Sequence, residues 1–554
     1  MLRIVRTAVS RLPLEFRVLY RQFLMRVVDL ESLSIDADVP AFLGQFAGLL
    51  ILVSLGQAYG GLMVPPPPNR MWHIEQTDIA LTMLVVGLVS VLTWENTFPD
   101  HRDAMVLGPL PVKPRMILIA KIAASAALLL FAVVCLNFAS SIGWSLLFAA
   151  SHGIAAFARF FAAFWITMIA SGAFLYGSLL TIQGLTASVL PRRLFLRFSA
   201  VVQVVAFAVL FAVYFLAPYI ETPADLAALR VHPALAASPV YWFFALFNQC
   251  NGSLPPDGLW LAHRAWIGLA CAVAGATLSL LVCYRRTMRK TVEEPDLIPA
   301  RRNLNSTPQI GGGLQSALLL FILRTLWRSR QHRVILALFY SIVFACLMNL
   351  VHLAPRIGSI IPITPDFPII TCWMMVFAVL GFRAISPLPI SLTANWILRV
   401  TQLRPPQDYI AAVWRSTILL VVAPVWVAAA MLSFFYRPYF PAGAHLALLL
   451  LMGFILVDIA LIGFHKVPFT CSILPGKKNF QFVFWVCLAA IVLLTLFVLT
   501  VEFPALQHPV QAVSMVGVFA AVAAGLRLFN RRRAQSAVLY FEEPPIEIIT
   551  SLGL

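Results

Sequence analysis

Apolar runs of about twenty residues recur along this chain, and a helix needs ~20 such residues to cross the hydrocarbon of a bilayer. By that measure spans fall near 40–64, 78–94, 116–138, 156–187, 198–218 and 262–284, then near 334–353, 367–383, 410–435, 444–464, 480–501 and 510–528. A water-soluble globule does not fit, because 61% of the 554 residues are hydrophobic and only 11% are charged, too few to cover such a core. The expected fold is an all-α polytopic transmembrane helical bundle of about 12 spans.

The net charge of +17 does not point to nucleic acid, because the basic residues sit in loops beside the apolar runs. Twelve spans place both termini on one side, together with 34 of the 40 Lys and Arg; six, Arg70, Arg159, Arg230, Arg264, Arg356 and Arg437, lie opposite. The positive-inside bias makes the shared side the cytoplasm, so the chain reads as N-in and C-in. Arginines at 3, 6, 11, 17, 21 and 26 precede any uninterrupted apolar run, a pattern that a cleaved signal peptide does not fit. The expected location is integral and multi-pass in a bacterial cytoplasmic (inner) membrane.

Five segments follow. Residues 1–36 are a cytoplasmic N-terminal segment with Phe16, Leu19, Tyr20, Phe23, Val27 and Leu30 at helical spacing, the mark of an interfacial helix. Residues 37–284 hold the first six spans, and residues 285–333 form a basic linker. Within the linker Leu319, Ile322, Leu323, Leu326 and Trp327 make a second amphipathic face. Residues 334–529 hold six further spans, and 530–554 form a cytoplasmic tail. The run near 157–190 exceeds one crossing, with Gly172, Gly177 and Gly184 as expected bend points.

The two halves also share a loop. After the second span comes a polar stretch with Glu95, Asp100, Arg102, Asp103, Pro109, Leu110, Pro111, Lys113 and Arg115; after the eighth come Arg383, Pro387, Pro389, Arg399 and Arg404. Leu107-Gly-Pro-Leu-Pro-Val112 in the first is echoed by Ile385-Ser-Pro-Leu-Pro-Ile390 in the second. Amphipathic entry, two spans and a proline-rich loop, met twice, make the halves pseudo-repeats. Acid, base and proline concentrated at one membrane exit read as a surface for another protein.

Ionisable groups inside a span cost ~2.5 to 3.5 kcal/mol on insertion scales and persist mainly for function. Asp458 is the clearest, either a pathway residue or an interhelical hydrogen bond. Lys121 and Arg415 are expected to snorkel to the interface. His152, His352 and His465 have no second ligand at i+3 or i+4 and no cysteines stand as CxxC, so no metal or other cofactor is expected. The chain carries no motif for ATP hydrolysis or nucleophilic catalysis, so no catalytic residue is assigned. The aromatic stretch Ser238–Phe247 is too short to cross and is placed in the outer interface or re-entering it.

The interfacial helix at Phe16–Leu30, Asp100-His-Arg-Asp103 with Leu107-Gly-Pro-Leu-Pro-Val-Lys-Pro-Arg115, Lys121 opening the third span, and the aromatic outer loop together resemble the membrane subunit of an ABC-2 (type V exporter) ABC transporter. The resemblance implies that Glu95–Arg115 docks into a separate cytoplasmic ABC-type ATPase and that an unspecified cargo is exported. The second half departs from it, since Val501–Val510 is a short turn where the first half has a long outer loop. Two other functions compete. One is an ion-coupled secondary transporter, although Phe98–Asp103 lacks the glycines of the major facilitator loop; the other is a membrane-embedded enzyme acting on lipid-linked substrates through Asp100, His101 and Asp103.

Overall fold

The computed structural model describes residues 13–28, 39–63, 71–94, 110–190, 192–216, 220–293, 313–353, 361–362, 364–388, 405–437, 439–464, 466–470 and 480–539. They form two compact units, one up to Glu293 and the other from Gly313. Ten of the described helices are long and apolar enough to cross a membrane. At the first and fifth predicted runs the helices Val39–Met63 and Arg192–Leu216 carry shorter apolar stretches, Leu43–Tyr59 and Val201–Phe215. Exposed Leu278, Leu281, Met431, Val510, Val513 and Val522 are the surface of a chain solvated by lipid rather than water. The protein is an all-helical, multi-pass membrane protein.

In the first unit the elements are α1 (Leu14–Val28), α2 (Val39–Met63), α3 (Met71–Leu92), α4 (Pro114–His152), α5 (Ile154–Val189), α6 (Arg192–Leu216), the short α7 (Pro223–Ala228) and α8 (Pro233–Ala236), α9 (Pro239–Asn251) and α10 (Leu259–Glu293). Gly153, at φ 85°, makes the left-handed turn that lets α5 follow α4 directly. The amphipathic α1 and the long α2 both pack on α4, α3 packs on α5 and α6, and α5 pairs with α10. That last pair explains two glycines. A Cβ on Gly177 would stand 3.1 Å from the Ala272 carbonyl oxygen, and one on Gly275 would stand 2.8 Å from Thr181 Oγ1. Helix α5 runs as one unbroken helix through Gly172, Gly177 and Gly184. Gly177 serves close helix approach, as small residues do where lipid offers no hydrophobic drive.

The aromatic stretch becomes α9, opened by Pro239 at its first turn and closed by Gly252 at φ 76°. It packs among α3, α5 and α10, burying Tyr241, Phe243, Phe244 and Phe247. The Phe247 ring meets Phe160 edge-on at 5.1 Å.

The second unit contains α11 (Gly313–Arg328), α12 (Arg330–Leu353), α13 (Asp366–Ile385), α14 (Pro406–Thr417), α15 (Ala423–Ser433), α16 (Tyr439–Ala460), α17 (Phe480–Phe497), α18 (Phe503–Leu506) and α19 (Pro509–Gln535). A two-residue parallel bridge joins Ile361–Pro362 to Tyr436–Arg437. Two stretches widen into π-helix, Ile418–Val422 and Val498–Glu502. Each lies just before a proline, Pro424 and Pro504. A proline inside a helix loses a hydrogen bond and collides with the carbonyl four residues back, and a wider turn relieves both faults. The packing order echoes the first unit, with α11 on α14 as α1 is on α4, α13 on α16 as α3 is on α5, and α16 on α19 as α5 is on α10.

Candidate functional site

The first predicted coupling loop is described only from its end. Glu95, Asp100, Arg102, Asp103 and Pro109 lie outside the described residues. Leu110, Pro111, Lys113 and Arg115 are exposed, while Val112 tucks against a small core made by Leu19 and Phe23 of α1 with Ile117, Ala120 and Ala124 of α4. A tight turn holds this arrangement, Val112 N–H donating to the Leu110 carbonyl at 2.7 Å. Lys121 does not snorkel. It is 3% exposed, with its ammonium 5.2 Å from the centre of the Phe23 ring, because α1 covers the face of α4 that carries it.

At the loop's other end, Gln183 of α5 donates to the Trp94 carbonyl and Gln203 of α6 donates to the Val91 carbonyl at 3.3 Å. These amides satisfy backbone acceptors that the end of α3 leaves without helical partners. The loop therefore springs from fixed points on both sides.

In the second unit Arg383 and Pro387 are described, while Pro389, Arg399 and Arg404 lie outside the described residues. Arg383 sets its guanidinium over the Phe464 ring at 5.0 Å. Pro387 is buried, so it anchors the chain rather than offering a contact. The backbone on either side of it is pinned. The Ser386 carbonyl accepts from Phe469 N–H at 2.9 Å, and the Leu388 carbonyl lies 3.0 Å from His332 Nε2. A carbonyl can only accept, so Nε2 carries the proton and Nδ1 accepts from the Ser329 hydroxyl at 2.6 Å. Arg415 of α14 lies exposed and donates to Gln315 Oε1 of α11 at 3.2 Å. In both units, a basic residue of the helix after the loop reaches the amphipathic helix.

Asp458 is held from α19. Its Oδ1 accepts from Arg527 Nη1 at 3.2 Å and from Asn530 Nδ2 at 3.0 Å, and the Arg527 guanidinium stacks 3.9 Å from the Trp414 ring centre. It stands two residues from the end of α16, where an interhelical tie is its evident role.

Among the described residues, Glu75, Asp78, His445 and Glu502 are buried ionisable groups that sequence reasoning missed. Glu75 Oε2 accepts from Asn248 of α9 at 2.9 Å, and Asp78 Oδ1 accepts from Gln57 of α2 at 2.8 Å. Between them, Gln76 exchanges two hydrogen bonds with the backbone of Ile220, at 2.8 and 3.0 Å. In the second unit His445 lies between Thr371 Oγ1 at 2.8 Å and Glu502 Oε1 at 2.6 Å. The signal was present. Glu75 and Glu502 lie just beyond the predicted spans 78–94 and 480–501, where the densest apolar runs end.

Among the described residues no group of three or more His, Cys, Asp or Glu could hold a metal ion. Compared with models of protein families, with curated proteins and with solved structures, the chain matches none.

Proposed function

We propose that the protein is the membrane-spanning permease of an ATP-driven ABC transporter, an exporter energised by a separate cytoplasmic ATP-binding subunit. In this reading twelve helices cross the membrane, both termini are cytoplasmic, and the loops after α3 and α13 take up the partner's motion. The observation that carries it is the twin junction: an amphipathic helix docked on the helix that follows each loop, with Lys121 over Phe23 in one unit and Arg415 on Gln315 in the other. Such a docked helix turns a push on the loop into movement of the span behind it. Exposed Leu110, Pro111, Lys113 and Arg115 supply an apolar and basic patch for the partner.

The test is purification from the native membrane after crosslinking through cysteine placed at Leu110. Capture of a soluble protein with a nucleotide-binding loop, lost in the charge-reversed pair Asp100→Arg and Asp103→Arg, supports the reading. Recovery of the chain alone sinks it.

One observation favours a second reading, an ion-coupled secondary transporter. Glu75 and Asp78 lie one helical turn apart and buried, and amides rather than cations bond them. Buried carboxylates in that setting are suited to taking up and releasing a proton or cation. Uptake into vesicles driven by a pH gradient without ATP, abolished by Glu75→Gln, would favour this reading over the first.

A further inference from the structure

A cavity of about 370 Å³ lies among the ends of α14, α16 and α19. Its lining includes four arginines, Arg415, Arg527, Arg531 and Arg533, against two aspartates, Asp408 and Asp458. The arginines still outnumber the aspartates by two, since Asp458 pairs with Arg527 at 3.2 Å and Asp408 can offset at most one of the other three. Asp458 is engaged by Arg527 and Asn530, and Asp408 lies in the first turn of α14, where the helix dipole already favours a negative charge. Arg527 forms the base, its side chain 16% exposed, while Arg415, Arg531 and Arg533 stand exposed around it.

The two positive charges left over in the lining favour an anion. A phosphate answers that need, with several acceptor oxygens for planar, forked donors. The surroundings add an apolar element. Ile459 and Ile462 of the α16 end, with Leu528 and Phe529 of α19, are exposed next to lining residues in the chain. Exposed apolar side chains beside a charged cavity suit a lipid as well as a free anion. We infer that this cavity is a binding site for a phosphate-bearing anion, either the headgroup of an anionic phospholipid or a free phosphate. The inference does not depend on the transport reading.

The experiment places the full chain in nanodiscs of phosphatidylcholine, with or without phosphatidylglycerol, and records thermal unfolding and lipid retention by native mass spectrometry. Phosphatidylglycerol should raise Tm and remain bound. The variant R531Q/R533Q should weaken that binding about thirtyfold. R532Q, on the same helix but outside the lining, should leave it unchanged and serves as the folding control. Inorganic phosphate is titrated in phosphatidylcholine discs alone; stabilisation there with none from phosphatidylglycerol assigns the site to free phosphate. No response to either anion, or a response that survives R531Q/R533Q, overturns the proposal.

Discussion

The two units meet one problem, polar groups buried near the N-terminal end of their second long helix, and solve it differently. In the first unit, α9 is brought in from the segment between α6 and α10, and its Asn248 bonds Glu75. Between α17 and α19 the described residues of the second unit include no such segment, and the π-wide turn before Pro504 carries Glu502, which meets His445, itself bonded to Thr371. One unit adds a part; the other deforms a helix. Repeated packing therefore does not imply repeated mechanics, because an inserted aromatic helix locks its neighbours whereas a π turn is a weak point in the helix that contains it.

The sharpest way to break this comparison is to remove the inserted lock. Phe247→Ala empties a fully buried site against Phe160 and should cost ~3–5 kcal/mol. Thermal unfolding of the purified protein would register it, and a loss near zero would mean that α9 is not part of the core. The second unit is tested at its own device. Glu502→Ala leaves His445 without its acid and should cost about 3 kcal/mol, while the double change H445L/E502L should recover much of that loss. Additive losses in the double variant would remove the pair from the argument. The junctions come next, since they repeat in position but not in burial. Lys121→Ala should cost about 2 kcal/mol from a desolvated cation–π contact, whereas Arg415→Ala, at an exposed hydrogen bond, should cost about 0.5 kcal/mol or less. Equal losses would make the two junctions equivalent.

What the sequence revealed depended on which physical signal was strong. Apolar runs are long and repetitive, so the helical class and the amphipathic faces of α1 and α11 could be read directly. The prolines at 424 and 504 stand in the sequence, but that the helices widen into π turns before them depends on neighbours that sequence order does not supply. Span limits hid the most. The apolar runs stop short of Glu75 and Glu502, yet both sit inside helices because partners 173 and 57 residues away satisfy them. Lys121 was misplaced for a related reason, since snorkelling assumes open lipid and α1 occupies that place. Asp458 was legible as an interhelical tie, but its partners Arg527 and Asn530 were not.

The smallest effect concerns the segment that delivers α9. Ahead of it, Thr222 and Asp225 form a reciprocal capping box, with Asp225 Oδ2 accepting from Thr222 N–H at 2.9 Å and from the Thr222 hydroxyl at 2.8 Å. These hydrogen bonds, the hydroxyl's first, hold the Asp225 carboxyl below its ordinary value of 3.8. A lowered folded value means that the native segment binds a proton less readily than the unfolded chain does. Its contribution is therefore fully present above pH 3.8 and is lost as the pH falls through the lower folded value. Amide protection across 222–229 should be the same at pH 7 and pH 5, and should fall only in stronger acid. Asp225→Asn should reduce the protection at neutral pH and leave little for acid to remove. If protection instead fell between pH 7 and pH 5, another group would control the entry to α9, and the first unit's inserted part would respond to pH for a reason other than its cap.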